Sequence, residues 1–142
     1  MADKKEKKSF LSRWGLLIFY VGMLLLPIGT NIWRHWQIEA EINRTLHSEE
    51  VHQLIEKQLK REDPKAFQTG GKIQGYTIDY ESKKINPMGG IMFELYVNGD
   101  KELSIREILT KNTATNEYSL VSTVSEKLQS LVEEAKSDKT IA

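Results

Sequence analysis

The chain has 142 residues, with 20 Lys and Arg balanced by 20 Asp and Glu, and 39% of it is hydrophobic. It contains no cysteine, which excludes disulfide staples, a lipoprotein anchor, thiolate metal ligands and a thiol nucleophile. The zero net charge hides an asymmetry: residues 1–13 carry a net +3 and the remainder a net −3. A mildly acidic remainder gives no reason to expect nucleic acid as a partner.

Trp14 to Trp33 is a run of 20 residues without a charge, bounded by Arg13 and Arg34. As a helix it spans about 28 Å, close to the hydrocarbon thickness of a bilayer. Trp14 and Trp33 sit at its two ends, with Trp36 one turn further, where interfacial aromatic anchors belong. The basic tail, residues 1–13, predicts a cytoplasmic N-terminus, a single pass through the plasma membrane, and residues 37–142 outside. Pro27-Ile28-Gly29 and Ile28-Gly29-Thr30 are poor cleavage sites, so retention as an anchor is expected rather than removal as a signal peptide. Gly15, Gly22 and Gly29 recur every seven residues on one helical stripe. Such a stripe can let two membrane helices approach closely as a homodimer, although glycines common in membrane helices also align by chance. Pro27 removes one backbone donor and predicts a bend near the outer end.

Beyond the span, Ile38, Ile42 and Leu46 follow at spacing four, which predicts a helical stalk over 34–47, continuous with the membrane helix or separate from it. Ser48 is a helix cap, with Glu49 and Glu50 in the first turn. Val51, Leu54, Ile55 and Leu59 then form an apolar stripe, and Asp63-Pro64 ends the run, so a helix over 49–62 is predicted. Three histidines invite a metal reading, but His47 and His52 point about 140° apart on a helix. His35 belongs to the membrane interface and H-E-x-x-H is absent, so no metal or other cofactor is expected and the histidines are read as solvated.

Thr69-Gly70-Gly71 reads as a turn, after which the periodicity changes to two. Tyr76, Ile78 and Tyr80 mark a first strand, Ile91, Phe93, Leu95 and Val97 a second, and Leu103 and Ile105 a third. A two-residue Asn98-Gly99 loop would set Leu95 opposite Glu102, mixing core with surface. A three-residue or bulged turn centred on Asn98 is therefore predicted, with Leu95 opposite Leu103 and Phe93 opposite Ile105. A polar loop over 111–116 precedes a short fourth strand beginning at Tyr118 and Leu120. Thr123-x-x-Glu126 reads as a capping box for a last helix over 124–136, followed by a frayed tail, residues 137–142. The predicted class is α+β: one N-terminal transmembrane helix, then a domain over 48–136 of helix, four-stranded antiparallel meander and helix.

Three segments carry a family resemblance: Ile73-Gln-Gly-Tyr-Thr-Ile-Asp-Tyr80, Asn86-Pro-Met-Gly-Gly-Ile-Met92 and Val97-Asn-Gly-Asp-Lys-Glu-Leu103. They resemble the domain of unknown function family 1310, and the likeness covers most of the region after the stalk. The resemblance implies a short protein of a Gram-positive bacterium with an N-terminal hydrophobic segment. It implies no activity and no catalytic residue.

The most distinctive of these pieces, Asn86-Pro87-Met88-Gly89-Gly90, has two readings. As a connector, its glycines allow a bend. As a recognition loop, Met88 is an adaptable apolar contact and Gly89-Gly90 let a partner's backbone approach. No nucleophile elbow or phosphate-binding loop occurs, and Asp79 and Glu81 are a carboxylate pair of the kind usually solvated. The expected function is a membrane-tethered extracytoplasmic binding module whose partners are the bilayer and another envelope or exported protein. Small size, tether and lack of chemistry suit an immunity or accessory protein. The alternative is a small envelope hydrolase without a recognisable motif.

Overall fold

The computed structural model describes residues 3–137. Residues 1–2 of the basic tail and 138–142 of the tail expected to fray lie outside the described residues. The chain divides into two compact units that meet in sequence between Ile42 and Asn43.

The first unit is helical. Helix α1, Asp3–Leu46, runs through the whole uncharged segment without a break, so residues 34–46 continue it rather than forming a separate stalk helix. From Arg13 onward it is long and apolar enough to cross a membrane, and the apolar stretch has no burial against the rest of the chain. Pro27 sits inside it. Two side chains one turn on, Thr30 through Oγ1 (3.1 Å) and Asn31 through Nδ2 (2.8 Å), donate to the Pro27 carbonyl.

The second unit begins with the last turn of α1 and helix α2, Glu49–Glu62. Ser48 caps α2, its hydroxyl accepting from the Val51 N–H at 3.4 Å, and Val51, Ile55 and Leu59 are buried on one stripe. Asp63 closes the helix and organises the loop behind it. Its carboxylate accepts from the N–H of Lys65 (3.0 Å), Lys72 (2.7 Å) and Ile73 (3.1 Å), with the side chain buried. Gly71 lies so close to the Lys65 carbonyl that a Cβ there would collide with it.

Four antiparallel strands follow in the order β1-β2-β3-β4: β1 Tyr76–Ile85, β2 Ile91–Val97, β3 Asp100–Lys111 and β4 Tyr118–Val124, with helix α3 over Glu126–Ser137. This is the meander flanked by helices that the periodicity predicts. One face of the sheet carries the core: Ile78, Phe93, Leu95, Val97, Ile105 and Leu109 are buried there, with Val51, Ile55 and Leu59 of α2 and Leu128 and Val132 of α3. Helix α2 packs near β4 and α3 near β3. Such a face would otherwise leave its apolar side chains in water, at roughly 1.5–3 kcal/mol each.

Two sequence expectations need correction. The β2–β3 connection is a two-residue loop after all: Val97 pairs with Asp100, and Asn98 (φ 55°) and Gly99 (φ 73°) both have positive φ, as a type I′ turn requires. The face problem is solved beyond the turn. Lys101, Glu102 and Leu103 bulge out of the ladder before Tyr96 pairs with Ser104. An odd number of extra residues exchanges the two faces, so Leu95 pairs with buried Ile105 and Phe93 with Glu107, not with Leu103 and Ile105. Second, Thr123 caps no helix. It pairs with Arg106 in β4, the strand runs on to Val124, and α3 begins at Glu126. Ser125 holds the junction by donating its hydroxyl to the Glu102 carbonyl (2.9 Å) and accepting from the Ser104 N–H (3.2 Å).

Candidate functional site

The Asn86–Gly90 segment links β1 to β2. Its backbone is closed by two bonds, Gly89 N–H to the Asn86 carbonyl (2.9 Å) and Asn86 N–H to the Gly90 carbonyl (3.0 Å). The Asn86 side chain accepts from the Met88 N–H at 3.2 Å, an Asx turn. Gly89 (φ 100°) and Gly90 (φ 94°) both occupy conformations that disfavour side chains. Gly90 has a second constraint: a Cβ would collide with the Leu109 carbonyl of β3. The close approach it permits is thus made by the protein's own backbone. Met88, on this ordered tip, is 95% exposed, the most exposed large hydrophobic residue described.

The Asn98-Gly99 turn is used inwardly. The Asn98 side-chain carbonyl accepts from the N–H of Gln74 (2.7 Å) and Gly75 (3.3 Å), and its amide donates to the Lys72 carbonyl (2.7 Å). It thereby ties the loop before β1 to the β2–β3 hairpin. That role left no mark in the sequence beyond the Asn-Gly pair itself.

His35 and His47 are exposed, and His52 is half-buried. His47 stacks on Tyr80 with ring centroids 4.3 Å apart, and His52 Nδ1 lies 2.7 Å from the Tyr76 hydroxyl. Burial and the nearby Glu56 carboxylate push the Tyr76 hydroxyl up to about 12, so it stays protonated as a hydrogen-bond partner. His35 lies in α1, 3.5 Å from Glu39. Among the described residues no cluster of three or more His, Asp or Glu is placed to hold a metal. Asp79 does not pair with the Glu81 side chain. It accepts from the Glu81 N–H (3.1 Å) and the Tyr96 hydroxyl (3.0 Å).

One functional-looking residue escaped the sequence reading. Glu107 lies mid-strand on the core face of β3 and is fully buried. Ser122, opposite it on β4, donates its hydroxyl to Glu107 Oε2 at 2.5 Å, while Oε1 has no hydrogen-bond partner. Burial pushes this carboxyl up to about 7; the Ser122 bond pulls it back and the Glu62 charge pushes it further. The alternation of Leu103 and Ile105 extends to Glu107, but the predicted third strand stops short of it and a carboxylate breaks the apolar pattern. Beside it a cleft of about 420 Å³ is lined by Glu62, Ser122, Thr123 and Val124 and by Gln129, Val132, Glu133 and Lys136 of α3.

In α1, Trp14, Trp33 and Trp36 are all exposed, and space is open beside Gly15, Gly22 and Gly29.

A model of the family described as Protein of unknown function (DUF1310) matches residues 14–131, from the start of the uncharged run to the middle of α3. The match covers most of the chain, which therefore belongs to this family. No curated protein and no solved structure matches it.

Proposed function

We propose that this member of the DUF1310 family is a membrane-tethered extracytoplasmic interaction module, and that Met88 at the β1–β2 tip is its contact for an envelope or exported protein. The bilayer is the partner of α1, with the basic tail on the cytoplasmic side and the sheet outside, in the plasma membrane of a Gram-positive bacterium. The observation that carries the reading is the exposure of Met88 on a hairpin tip closed by its own hydrogen bonds. An apolar side chain held out into water on an ordered support costs free energy that a partner can recover. Its unbranched thioether adapts to varied surfaces. A role as an immunity or accessory protein fits this placement. A hydrolase reading would rest on Glu107, but that carboxyl is sealed behind Ser122 and out of a substrate's reach. Glycine pairing along Gly15, Gly22 and Gly29 would add a homodimer in the membrane.

The test is photo-crosslinking in intact cells with a photoreactive methionine analogue at position 88. The expected result is a discrete adduct that is absent when the probe sits at exposed Glu81. Equal labelling from both positions would remove Met88 as a specific contact. Protease added outside wall-free cells should digest the sheet unit and spare residues 1–13; protection of the sheet unit would overturn the orientation.

A further inference from the structure

The two edges of the sheet are unlike. Edge strand β1 is blunted: Tyr80–Lys83 stand opposite Phe93 alone, so the ladder breaks between Asp79 and Lys84. The Ser82 hydroxyl fills the gap, accepting from the Glu94 N–H (2.8 Å) and donating to the Asp79 carbonyl (2.6 Å). Four charged residues, Asp79, Glu81, Lys83 and Lys84, lie along it. A bulge and charges are the usual devices that stop an edge from recruiting another strand.

Edge strand β4 has neither device. Tyr118-Ser-Leu-Val-Ser-Thr-Val124 contains no charge and no proline, and it pairs with β3 without a shift from Tyr118 to Val124. Its hydrogen-bonding phase follows from the two ends of that register. Asn112 N–H donates to the Glu117 carbonyl (2.9 Å), and Ser125 N–H to the Ser104 carbonyl (3.0 Å). Ser119, Val121 and Thr123 therefore turn their backbone groups to β3, while Tyr118, Leu120, Ser122 and Val124 turn theirs outward. Among the described residues no backbone hydrogen bond from outside β3 reaches that outward row. The same stretch, Ser122 to Val124, forms one wall of the 420 Å³ cleft, whose other walls carry Glu62 and Glu133. Lys136 offsets one of these carboxylates, and Val124 and Val132 supply apolar lining. Behind Ser122 stands Glu107, with Oε1 unpartnered.

We propose that β4 takes up an extended peptide as a fifth, antiparallel strand, with a Lys or Arg side chain of that peptide seated in the cleft between Glu62 and Glu133. The backbone row supplies affinity that is indifferent to sequence, and the cleft supplies the choice of side chain. The apolar lining receives the methylene stem and the carboxylates the charged head. In antiparallel pairing a peptide residue opposite Ser122 shares its face and its hydrogen-bonding phase. The basic residue therefore points its own N–H and C=O at β4. This surface is separate from the Met88 tip and does not depend on that reading.

The experiment uses the full chain in detergent micelles and a nonapeptide of alternating valine and threonine with one central lysine. Two relatives carry glutamate or norleucine at the centre. Binding is followed by fluorescence anisotropy. The lysine peptide should bind about tenfold more tightly than the glutamate peptide. N-methylation of the central residue and of those two places either side should abolish binding, and N-methylation of the intervening residues should leave it intact. Replacing Glu62→Gln together with Glu133→Gln should remove the preference for lysine over norleucine, and Glu81→Gln on the opposite edge strand β1 should change nothing. The proposal is overturned by failure of all three peptides to bind, by equal binding of the lysine and glutamate forms, or by equal tolerance of the two N-methylation patterns. A loss on Glu81→Gln would assign the peptide to the β1 edge instead and would likewise overturn it.

Discussion

Asp63 and Glu107 are both buried carboxylates, yet their surroundings have almost nothing in common. Asp63 accepts three backbone N–H groups, whereas Glu107 accepts one hydroxyl and leaves Oε1 without a partner. The difference follows from the element each occupies. Asp63 stands at a helix end, where the chain is free to curl its N–H groups around an anion. Glu107 is in a central strand whose backbone donors are committed to the ladders on both sides, so only a side chain such as Ser122 can reach it. A carboxylate is thus a structural joint in one place and a source of stored instability in the other.

The comparison breaks most readily at Asp63. Asp63→Ala should cost roughly 3–5 kcal/mol, because three N–H groups lose one shared acceptor at once. Urea unfolding of residues 37–142 measures it, and a loss below about 1 kcal/mol would show that water replaces the carboxylate there. The contrast sharpens at Glu107, where the effect has the opposite sign. The folded carboxyl titrates near 7 against an ordinary 4.5, so the folded state holds the proton more tightly. Its contribution to stability is therefore complete below pH 4.5 and is lost as pH rises through 7. Relative to Glu107→Gln, the natural chain should lose about 3 kcal/mol across that window. Parallel unfolding curves at acid and alkaline pH give the difference, and a constant offset between the two proteins would refute it.

A smaller effect is expected at Ser122. The Ser122 hydroxyl favours ionised Glu107, so Ser122→Ala should push the carboxyl still higher and cost about 1 kcal/mol at alkaline pH. Carbon-13 titration of the Glu107 carboxyl reads the direction. The least change, about 0.5 kcal/mol or less, is expected for Met88→Ala, whose side chain touches almost nothing. A loss of several kcal/mol there would mean that the tip packs against the protein.

The Asn-Gly pair shows where residue patterns stop being informative. Asn98-Gly99 is the dipeptide of a type I′ turn, and the structure has that turn. The reading against it came from demanding that the hydrophobic faces match directly across the loop. The bulge at Lys101–Leu103 meets that demand by another route, and nothing in those three residues announces it. The same exchange of faces brings Glu107 inside. Thr123 and Glu126 have capping-box spacing, yet pairing with Arg106 keeps Thr123 in the sheet, because a strand with a partner outcompetes a cap worth about 1 kcal/mol.

Local spacing by itself determined the long uncharged helix, the α2 stripe with its Ser48 cap, the four strands with their order along the chain, and the last helix. Each depends on periodicity or capping within a few residues, which the chain states directly. Tertiary structure alone decided which residue of β3 stands opposite which residue of β2, how Asp63 and Asn98 stitch the loop before β1, and why one edge of the sheet is blunted and the other open. Those features depend on backbone groups distant in sequence meeting in space. A single extra residue in one ladder is enough to reverse them, and no local pattern records it.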